Sequence, residues 1–307
     1  MVPPPAATYR IQLRPDFGFP AAADVVAYLA DLGVSHLYTS PYLQSAAGST
    51  HGYDVVDPNR VNEELGGAEA HARLCDTLQS AGLGHMIDIV PNHMAIAGRQ
   101  NPWWWDVLEN GPSSRYATYF DVDWAASEER WLNKVLLHVL GDHYGRVVEN
   151  GEFQLSHEEG SFALHYHDHI FPVDPSSLPE LLKKAAESCG SELLAFLAES
   201  HARLPRPTVT ARHAVERRHR DKAVLQGLLS DLCRKEPEVR SAVDAEAASV
   251  NGDPDAMDAL IDQQNYRLAF WRTASRDVGY RRFFDIKDLA SMRVEDIEVF
   301  RDTHALP

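Results

Sequence analysis

The first part of the chain alternates short apolar runs with longer amphipathic segments. Residues 9–13, 34–38 and 83–91 have the β-prone or nearly continuous apolar composition of strands, the last one interrupted by Asp88. Between them, residues 21–32 and 67–78 have apolar positions at helical spacing. The resulting order, with strands and helices alternating and short connections, predicts a parallel sheet. It favours either a doubly wound fold or the beginning of a (β/α)8 barrel.

After Met94 the alternation stops and the pattern changes. An aromatic, turn-rich stretch comes first, and residues 141–171 then have hairpin character with Gly145 and Gly151 at predicted turns. Three later segments have helical spacing: residues 178–204, 211–233 and 256–273.

These changes in pattern divide the chain into three segments. We expect the first βα units of a barrel at residues 1–93, an inserted subdomain at 94–255, and a helix and strand that return towards the barrel at 256–307. The inserted subdomain is predicted to be mixed, with an aromatic and hairpin part followed by a mainly helical part. The expected fold class is therefore α/β, with about three βα units and a long insertion.

Charge and cysteine content exclude several classes of protein. The 307 residues include 45 acidic and 29 basic ones, which gives a formal charge of −16 and disfavours binding to nucleic acid or anionic membranes. Cys75, Cys189 and Cys233 are far apart, so neither a disulfide framework nor a thiolate metal site is predicted. With no signal-peptide pattern and no apolar run of ~18 residues, we expect a soluble protein of the reducing cytoplasm.

Two polar motifs follow the second and third predicted strands. Asp88, Asn92 and His93 lie at the end of the third strand, where barrel enzymes build their active sites. The loop after the second strand contains His51, Tyr53 and Asp54, and an aromatic ring beside hydrogen-bonding groups suits a pyranose. Simpler interpretations stay open: Asp88 as a cap, His93 as a hydrogen-bonded polar residue and Tyr53 as a loop anchor.

Three further clusters have structural interpretations that we favour. The adjacent tryptophans at 103–105 point in different directions and are more typical of a core than of a ligand subsite. His165, His167 and His169 would share one face of a strand, but without a carboxylate or cysteine partner they do not predict a metal site. The basic run at 217–220 is typical of a solvated helix face.

Together these motifs resemble those of the α-amylase superfamily of retaining glycoside enzymes, glycoside hydrolase family 13. Residues 88–93 match its first conserved region, and residues 51–55 match the loop that holds glucose at the cleavage point. Longer strings resemble the maltooligosyltrehalose synthase family within it, at residues 8–13, 101–112, 266–272 and 280–286.

That resemblance implies a reaction and a set of roles. The implied activity is an isomerase step of trehalose biosynthesis, in which the reducing-end α-1,4 linkage of a maltooligosaccharide is rearranged to an α,α-1,1 linkage. Tyr53 would stack beneath the glucose ring and His93 would bind its hydroxyls, with His51, Asp54 and Asn92 as further substrate-binding residues. Asp88 would support catalysis by orienting an arginine that precedes the nucleophile. Asn92 would be a hydrogen-bonding residue and not a calcium ligand, and no metal or cofactor is implied.

The resemblance also implies that essential groups lie outside this sequence. The superfamily's nucleophile follows the fourth barrel strand in a G-x-R-x-D-H type segment, and its general acid follows the fifth strand. Neither segment is found in these 307 residues. We therefore expect an N-terminal part of the enzyme that is inactive without a C-terminal remainder, as a second chain or a continuation. The alternatives are another α-amylase-type glucan hydrolase and a non-catalytic maltooligosaccharide-binding module.

Overall fold

The computed structural model describes residues 4–125, 131–276 and 279–306. The chain divides into two compact units. Unit 1 consists of Met1–Pro102 and Arg282–Pro307, and unit 2 consists of Trp103–Arg281. No helix in the described ranges combines the length and the apolar character that crossing a membrane requires.

Unit 1 is mixed α/β. Its elements are β1 (Thr8–Ile11), α1 (Phe19–Asp24), α2 (Val26–Asp31), β2 (His36–Thr39), β3 (Leu43–Ser45), β4 (Val55–Val61), α3 (Gly67–Ser80), β5 (Gly84–Ile87), β6 (His93–Ala95), β12 (Arg282–Phe283), β13 (Ile286–Ser291) and α11 (Ile297–Thr303). Strands β1, β2 and β5 form a parallel sheet in that order. Two antiparallel sheets accompany it, β3 with β4 and β12 with β13 and β6.

The predicted strand and helix alternation is confirmed in unit 1, with one correction. The helix predicted at 21–32 is two short helices, α1 and α2, which meet at Val25. Helix α3 buries Ala70, Leu74 and Leu78 against the apolar core of the unit. The α/β class is thus confirmed, and the parallel sheet of the described residues has three strands and forms no closed barrel.

Unit 2 combines strands with a group of helices. Its elements are α4 (Pro102–Asn110), β7 (Val135–Leu140), α5 (Tyr144–Glu149), β8 (Phe153–Glu158), β9 (Ser161–Tyr166), β10 (His169–Pro172), α6 (Pro179–Cys189), α7 (Glu192–Ala202), α8 (Arg212–Lys235), α9 (Pro237–Asn251), α10 (Pro254–Asp262) and β11 (Tyr266–Phe270). Strands β8, β9 and β10 form an antiparallel sheet, and β11 pairs in parallel with β7.

In this unit one helix prediction and one turn prediction were wrong, and one segment correctly predicted as helical is divided into two helices. The segment 178–204 is two helices because Gly190 adopts a left-handed conformation between α6 and α7. The segment 256–273 is helix α10 followed by strand β11, whose pairing with β7 outweighs the helical spacing. Gly145 lies inside α5, whereas Gly151 is at a left-handed turn as predicted.

The histidine triplet does not share one strand face. His165 belongs to β9, His167 has a positive φ of 48° in the turn, and His169 begins β10. His165 Nε2 lies 2.8 Å from Ser156 Oγ, and His167 Nε2 lies 3.3 Å from a carboxylate oxygen of Glu152. The turn therefore gives these side chains separate environments.

The tryptophans contribute to the core of unit 2, as we favoured. Trp104 is buried and packs edge-on against Phe120, with ring centroids 4.9 Å apart. Trp103 is also buried and stacks on Tyr116 at 5.1 Å.

The basic run on α8 is not a solvated face. Arg217 and Arg220 are exposed, but Arg218 is 0% exposed and His219 is buried as well. The Arg218 guanidinium donates to Asp174 Oδ1 at 2.6 Å, to Asn110 Oδ1 at 3.0 Å and to the Pro205 carbonyl at 2.7 Å. A buried charge is tolerated here because both members of the ion pair are surrounded by hydrogen-bonding partners.

Candidate functional site

The site in unit 1 begins with a row of side chains across the parallel sheet. In the strand register, Arg10 lies beside Tyr38, which lies beside Met86. Asp88 is two residues beyond Met86 and therefore faces the same side. The Tyr38 hydroxyl donates to Asp88 Oδ2 at 3.2 Å, and the Arg10 guanidinium lies over the Tyr38 ring, 5.5 Å from its centroid. The sheet thus presents one cation, one phenol and one carboxylate together.

The loop after β3 adds Tyr53 to this row. The Tyr53 hydroxyl donates to Asp88 Oδ2 at 2.7 Å and accepts from Arg10 Nη2 at 3.2 Å. The hydrogen bond to Asp88 raises the pKa of Tyr53, and burial adds to the rise. The phenol therefore keeps its proton and remains a donor to the carboxylate. The Tyr53 side chain is still 37% exposed, so part of its ring is open to a ligand.

His93 holds the loop that contains Tyr53. Its Nε2 donates to the Tyr53 backbone carbonyl at 2.9 Å, and its ring stacks on Phe283 with centroids 4.0 Å apart. Burial lowers the pKa of His93, although the Tyr53 carbonyl and Asp54 oppose this. The neutral ring uses Nε2 to hold the loop, and its buried Nδ1 has no hydrogen-bond partner among the described residues.

The remaining predicted residues differ in how they join this group. His51 is exposed, its Nδ1 accepts from the Tyr53 backbone N–H at 3.0 Å, and it lies 3.7 Å from Asp54 Oδ1. Asp54 also accepts from the Ser49 hydroxyl at 2.5 Å, which closes the loop on itself. Asn92 is exposed, and its backbone carbonyl accepts a hydrogen bond from the Met292 N–H at 2.9 Å.

The structure adds three residues that the sequence motifs missed. Arg10 and Tyr38 contact Tyr53 or Asp88 directly, and Phe283 stacks on His93. A signal for Tyr38 existed, because it alternates with the buried Leu37 and Thr39 and so points to the opposite face of the sheet. Arg10 and Phe283 lie inside strings that carried the family resemblance, but no pattern assigned them a place.

The arrangement suits binding of a hydroxyl-rich molecule. A half-open aromatic ring lies beside fixed donors and acceptors, a combination that contacts the apolar face of a sugar and its hydroxyl groups. The hydrogen bonds among Arg10, Tyr53 and Asp88 hold these side chains in place before a ligand arrives. With one carboxylate at its centre, the cluster positions groups and lacks the carboxylate pair that retaining glycosidases use.

Comparison with known proteins finds relatives of the chain in one class of enzymes. Residues 22–169 match the α-amylase catalytic domain family. A putative maltooligosyl trehalose synthase of Mycobacterium tuberculosis is 33% identical over 98% of this chain. An intracellular maltogenic amylase of Bacillus subtilis is 36% identical, but over only 32% of the chain. These matches show that the chain is similar to members of the α-amylase superfamily.

Solved structures give a narrower similarity. A maltooligosyl trehalose synthase crystal structure superimposes on 99% of this chain with a TM-score of 0.66 and 29% identity. The maltooligosyltrehalose synthase of Arthrobacter ramosus covers 98% with a TM-score of 0.65 and 33% identity. Within the superfamily, the chain is similar to maltooligosyltrehalose synthases along almost its whole length. It spans only 29% of the length of the mycobacterial relative and 30% of the first of these structures.

Proposed function

We propose that this chain is the part of a maltooligosyltrehalose synthase that holds the glucose at the point of cleavage. The complete enzyme would rearrange the reducing-end α-1,4 linkage of a maltooligosaccharide to an α,α-1,1 linkage, which is an isomerase reaction of trehalose biosynthesis. The single observation that carries the proposal is 33% identity to a putative synthase over 98% of the chain. The cluster around Asp88 supports it, because its groups suit a pyranose.

Each residue of the cluster has a proposed role. Tyr53 stacks beneath the glucose ring, and Asp88 is a positioning residue that fixes the Tyr53 hydroxyl and an arginine supplied by the rest of the enzyme. His93 holds the loop through Nε2 and presents Nδ1 to the substrate after a small shift of the ring. His51, Asp54 and Asn92 complete the hydroxyl contacts. The short hydrogen bonds at Tyr53 and His93 support these separate roles.

The same proposal extends to the organisation of the enzyme. The parallel strands β1, β2 and β5 are the first three strands of a (β/α)8 barrel, residues 94–255 form the inserted subdomain, and residues 256–307 return towards the barrel. The nucleophile and the general acid come from the remainder of the enzyme, which closes the barrel. The expected partners are a maltooligosaccharide and that remainder, with the cytoplasm as the site of action.

The activity is tested with maltopentaose and the complete enzyme that contains this chain. A synthase removes reducing ends without shortening the glucan, whereas an amylase-type hydrolase creates reducing ends and short products. Loss of reducing ends at constant chain length supports the proposal. A rise in reducing ends would assign the chain to a hydrolase, and tight binding without turnover would assign it to a binding module.

The role of Tyr53 is tested by two substitutions. Tyr53→Ala removes the ring, and we expect glucan affinity to fall by up to about tenfold, because an aromatic contact contributes about 0.5–1.5 kcal/mol. Tyr53→Phe keeps the ring and is expected to retain most of the affinity. Tyr28→Ala, at an exposed tyrosine of α2, is the matched control. Equal losses for Tyr53→Phe and Tyr53→Ala would contradict stacking.

A further inference from the structure

A second group of polar side chains lies on the other face of the same sheet. His71 and Cys75 are one helical turn apart on α3, and His85 is on β5. Because successive residues of a strand point to opposite faces, His85 lies on the helix-covered face and Asp88 on the other. This group is therefore separate from the sugar-binding cluster and has no part in the function proposed above.

The three side chains converge closely enough to share one ion. One donor atom from each lies within 4.8 Å of the other two, and Cys75 Sγ is 3.7 Å from His71 Nε2. In a tetrahedral zinc site the Zn–S and Zn–N bonds of about 2.3 and 2.0–2.1 Å place the ligand atoms roughly 3.3–3.6 Å apart. A small adjustment of side chains brings the cluster to those distances.

Neighbouring side chains hold the two histidine rings of the cluster in place. Phe19 and Tyr42 pack against His71, with ring centroids 5.2 and 4.6 Å away. The Thr39 hydroxyl lies 3.0 Å from His85 Nε2 and fixes the orientation of that ring, as residues behind metal ligands commonly do. All three ligands are only partly buried, so an ion can reach them.

We propose that His71, Cys75 and His85 form a structural site for a divalent transition-metal ion, with zinc as the best fit to two imidazoles and one thiolate. A water molecule completes the tetrahedron. Binding displaces the thiol proton of Cys75 to solvent and forms one Zn–S and two Zn–N bonds. The ion would link α3 to β5 and so stabilise the packing of that helix on the third strand of the parallel sheet.

The protonation states of the two histidines agree with this geometry. Burial lowers the pKa of His85 to about 4, with a further contribution from His71, and burial also lowers the pKa of His71. Both rings are therefore neutral near pH 7, which is the form that binds metals. Burial raises the pKa of the Cys75 thiol, so the free site holds a thiol that the metal must deprotonate.

Cobalt(II) is the probe that tests the site in the purified, chelator-treated protein. We expect a near-ultraviolet thiolate-to-cobalt band together with visible bands of four-coordinate cobalt, both removed by added zinc. Cys75→Ser should abolish the near-ultraviolet band, and His71→Gln and His85→Gln should weaken cobalt binding. Thr39→Val should lower affinity about 10–100-fold, as expected for loss of a residue that orients a ligand. Cys189→Ser and His213→Gln are matched controls that should bind cobalt normally.

A measurement on the unmodified protein tests the site even where a variant fails to fold. Zinc should protect Cys75 from a thiol reagent while Cys189 continues to react, as read by mass spectrometry of the labelled peptides. Absence of the cobalt bands, their survival in Cys75→Ser, or equal reactivity of Cys75 with and without zinc would each overturn the proposal.

Discussion

Two charged clusters, one in each unit, show how differently the same kinds of side chain can be used. In unit 1, Asp88 is half-buried and receives hydrogen bonds from Tyr38 and Tyr53, while Arg10 is exposed. In unit 2, Arg218 and Asp174 are 0% and 1% exposed and joined by a 2.6 Å hydrogen bond. The first cluster leaves a surface that a ligand can reach, and the second leaves none.

The difference lies in how completely each carboxylate is satisfied inside the protein. Asp174 accepts from Arg218, from Asn265 Nδ2 at 3.0 Å and from the backbone and hydroxyl of Ser176 at 2.8 and 2.7 Å. Such a carboxylate is buried beyond the reach of a substrate, and its four hydrogen bonds fix the packing of the segments that contact it. Asp88 depends on two phenols and remains open to water, which suits a residue that positions other groups. The comparison teaches that a buried and fully hydrogen-bonded carboxylate is closed to ligands, whereas a half-buried one stays accessible to them.

The largest effect should come from breaking the buried pair. Arg218→Leu leaves Asp174 charged and buried without its cation, and we expect a loss of about 3–5 kcal/mol in the free energy of unfolding. Urea denaturation followed by circular dichroism measures it. Arg217→Leu, at the exposed neighbouring position, is the matched control and should change stability by less than about 0.5 kcal/mol. Similar losses in both variants would contradict the structural role that we assign to the buried Arg218 and Asp174 pair.

Breaking the unit 1 cluster should affect function more than stability. Asp88→Asn keeps the shape of the side chain and one acceptor oxygen, so we expect unfolding free energy to change by no more than about 1 kcal/mol. Synthase activity of the complete enzyme should fall by up to about 100-fold, because the Tyr53 hydroxyl and its neighbours lose their fixed positions. A stability loss as large as that of Arg218→Leu, with unchanged turnover of the folded enzyme, would reverse the assignment.

A third, smaller effect concerns a buried group that stays neutral. His201 on α7 is 0% exposed; burial lowers its pKa, although the hydrogen bond to the Leu197 carbonyl opposes this. The folded state therefore binds a proton at this histidine less readily than the unfolded state does. Because the unfolded state gains the proton first, the free energy of unfolding falls as pH drops below about 6.5. We expect the urea midpoint of the wild type to fall relative to that of His201→Leu between pH 7 and pH 5. A constant difference across that range would contradict the neutral assignment.

The smallest effect should come from exposed ion pairs on α8. Arg212 and Glu216 are 93% and 62% exposed and 2.9 Å apart at i,i+4 spacing. Arg212→Ala should cost about 0.3–0.5 kcal/mol at low salt, because solvent and ions screen such a pair. The same denaturation assay at high salt should show no difference from the wild type. A salt-independent loss would mean that Arg212 contributes through packing.

Sequence patterns predicted unit 1 well because its elements are local and alternate regularly. The strands at 9–13, 34–38 and 83–91 were correctly predicted, since short apolar runs between helices leave few alternatives. Patterns failed where distant segments decide the outcome. Strand β11 was predicted as helix because its partner β7 lies far away in the sequence, and Arg218 was predicted as exposed because its partners are on other elements.

The site was predicted in part for the same reason. Tyr53, Asp88 and His93 stand in short motifs at strand ends, and the structure brings them together. Arg10 and Tyr38 join them through cross-strand register, which no single strand reveals. The sequence does not reveal the His71, Cys75 and His85 cluster, because it contains one cysteine without a paired partner and its side chains come from a helix turn and a separate strand. The proposed roles of all these residues remain predictions until the variants are measured.

The parallel pairing of β11 with β7 also sets the order of events while the protein is made. Tyr266 pairs with Val135, so 131 residues separate the two partners along the chain. At a synthesis rate of about 5–20 residues per second, β7 leaves the ribosome roughly 7–26 s before its partner. During that interval the edge of β7 that later pairs with β11 has no partner strand. Slower translation through the α6–α10 region should therefore increase chaperone dependence and aggregation of the nascent protein.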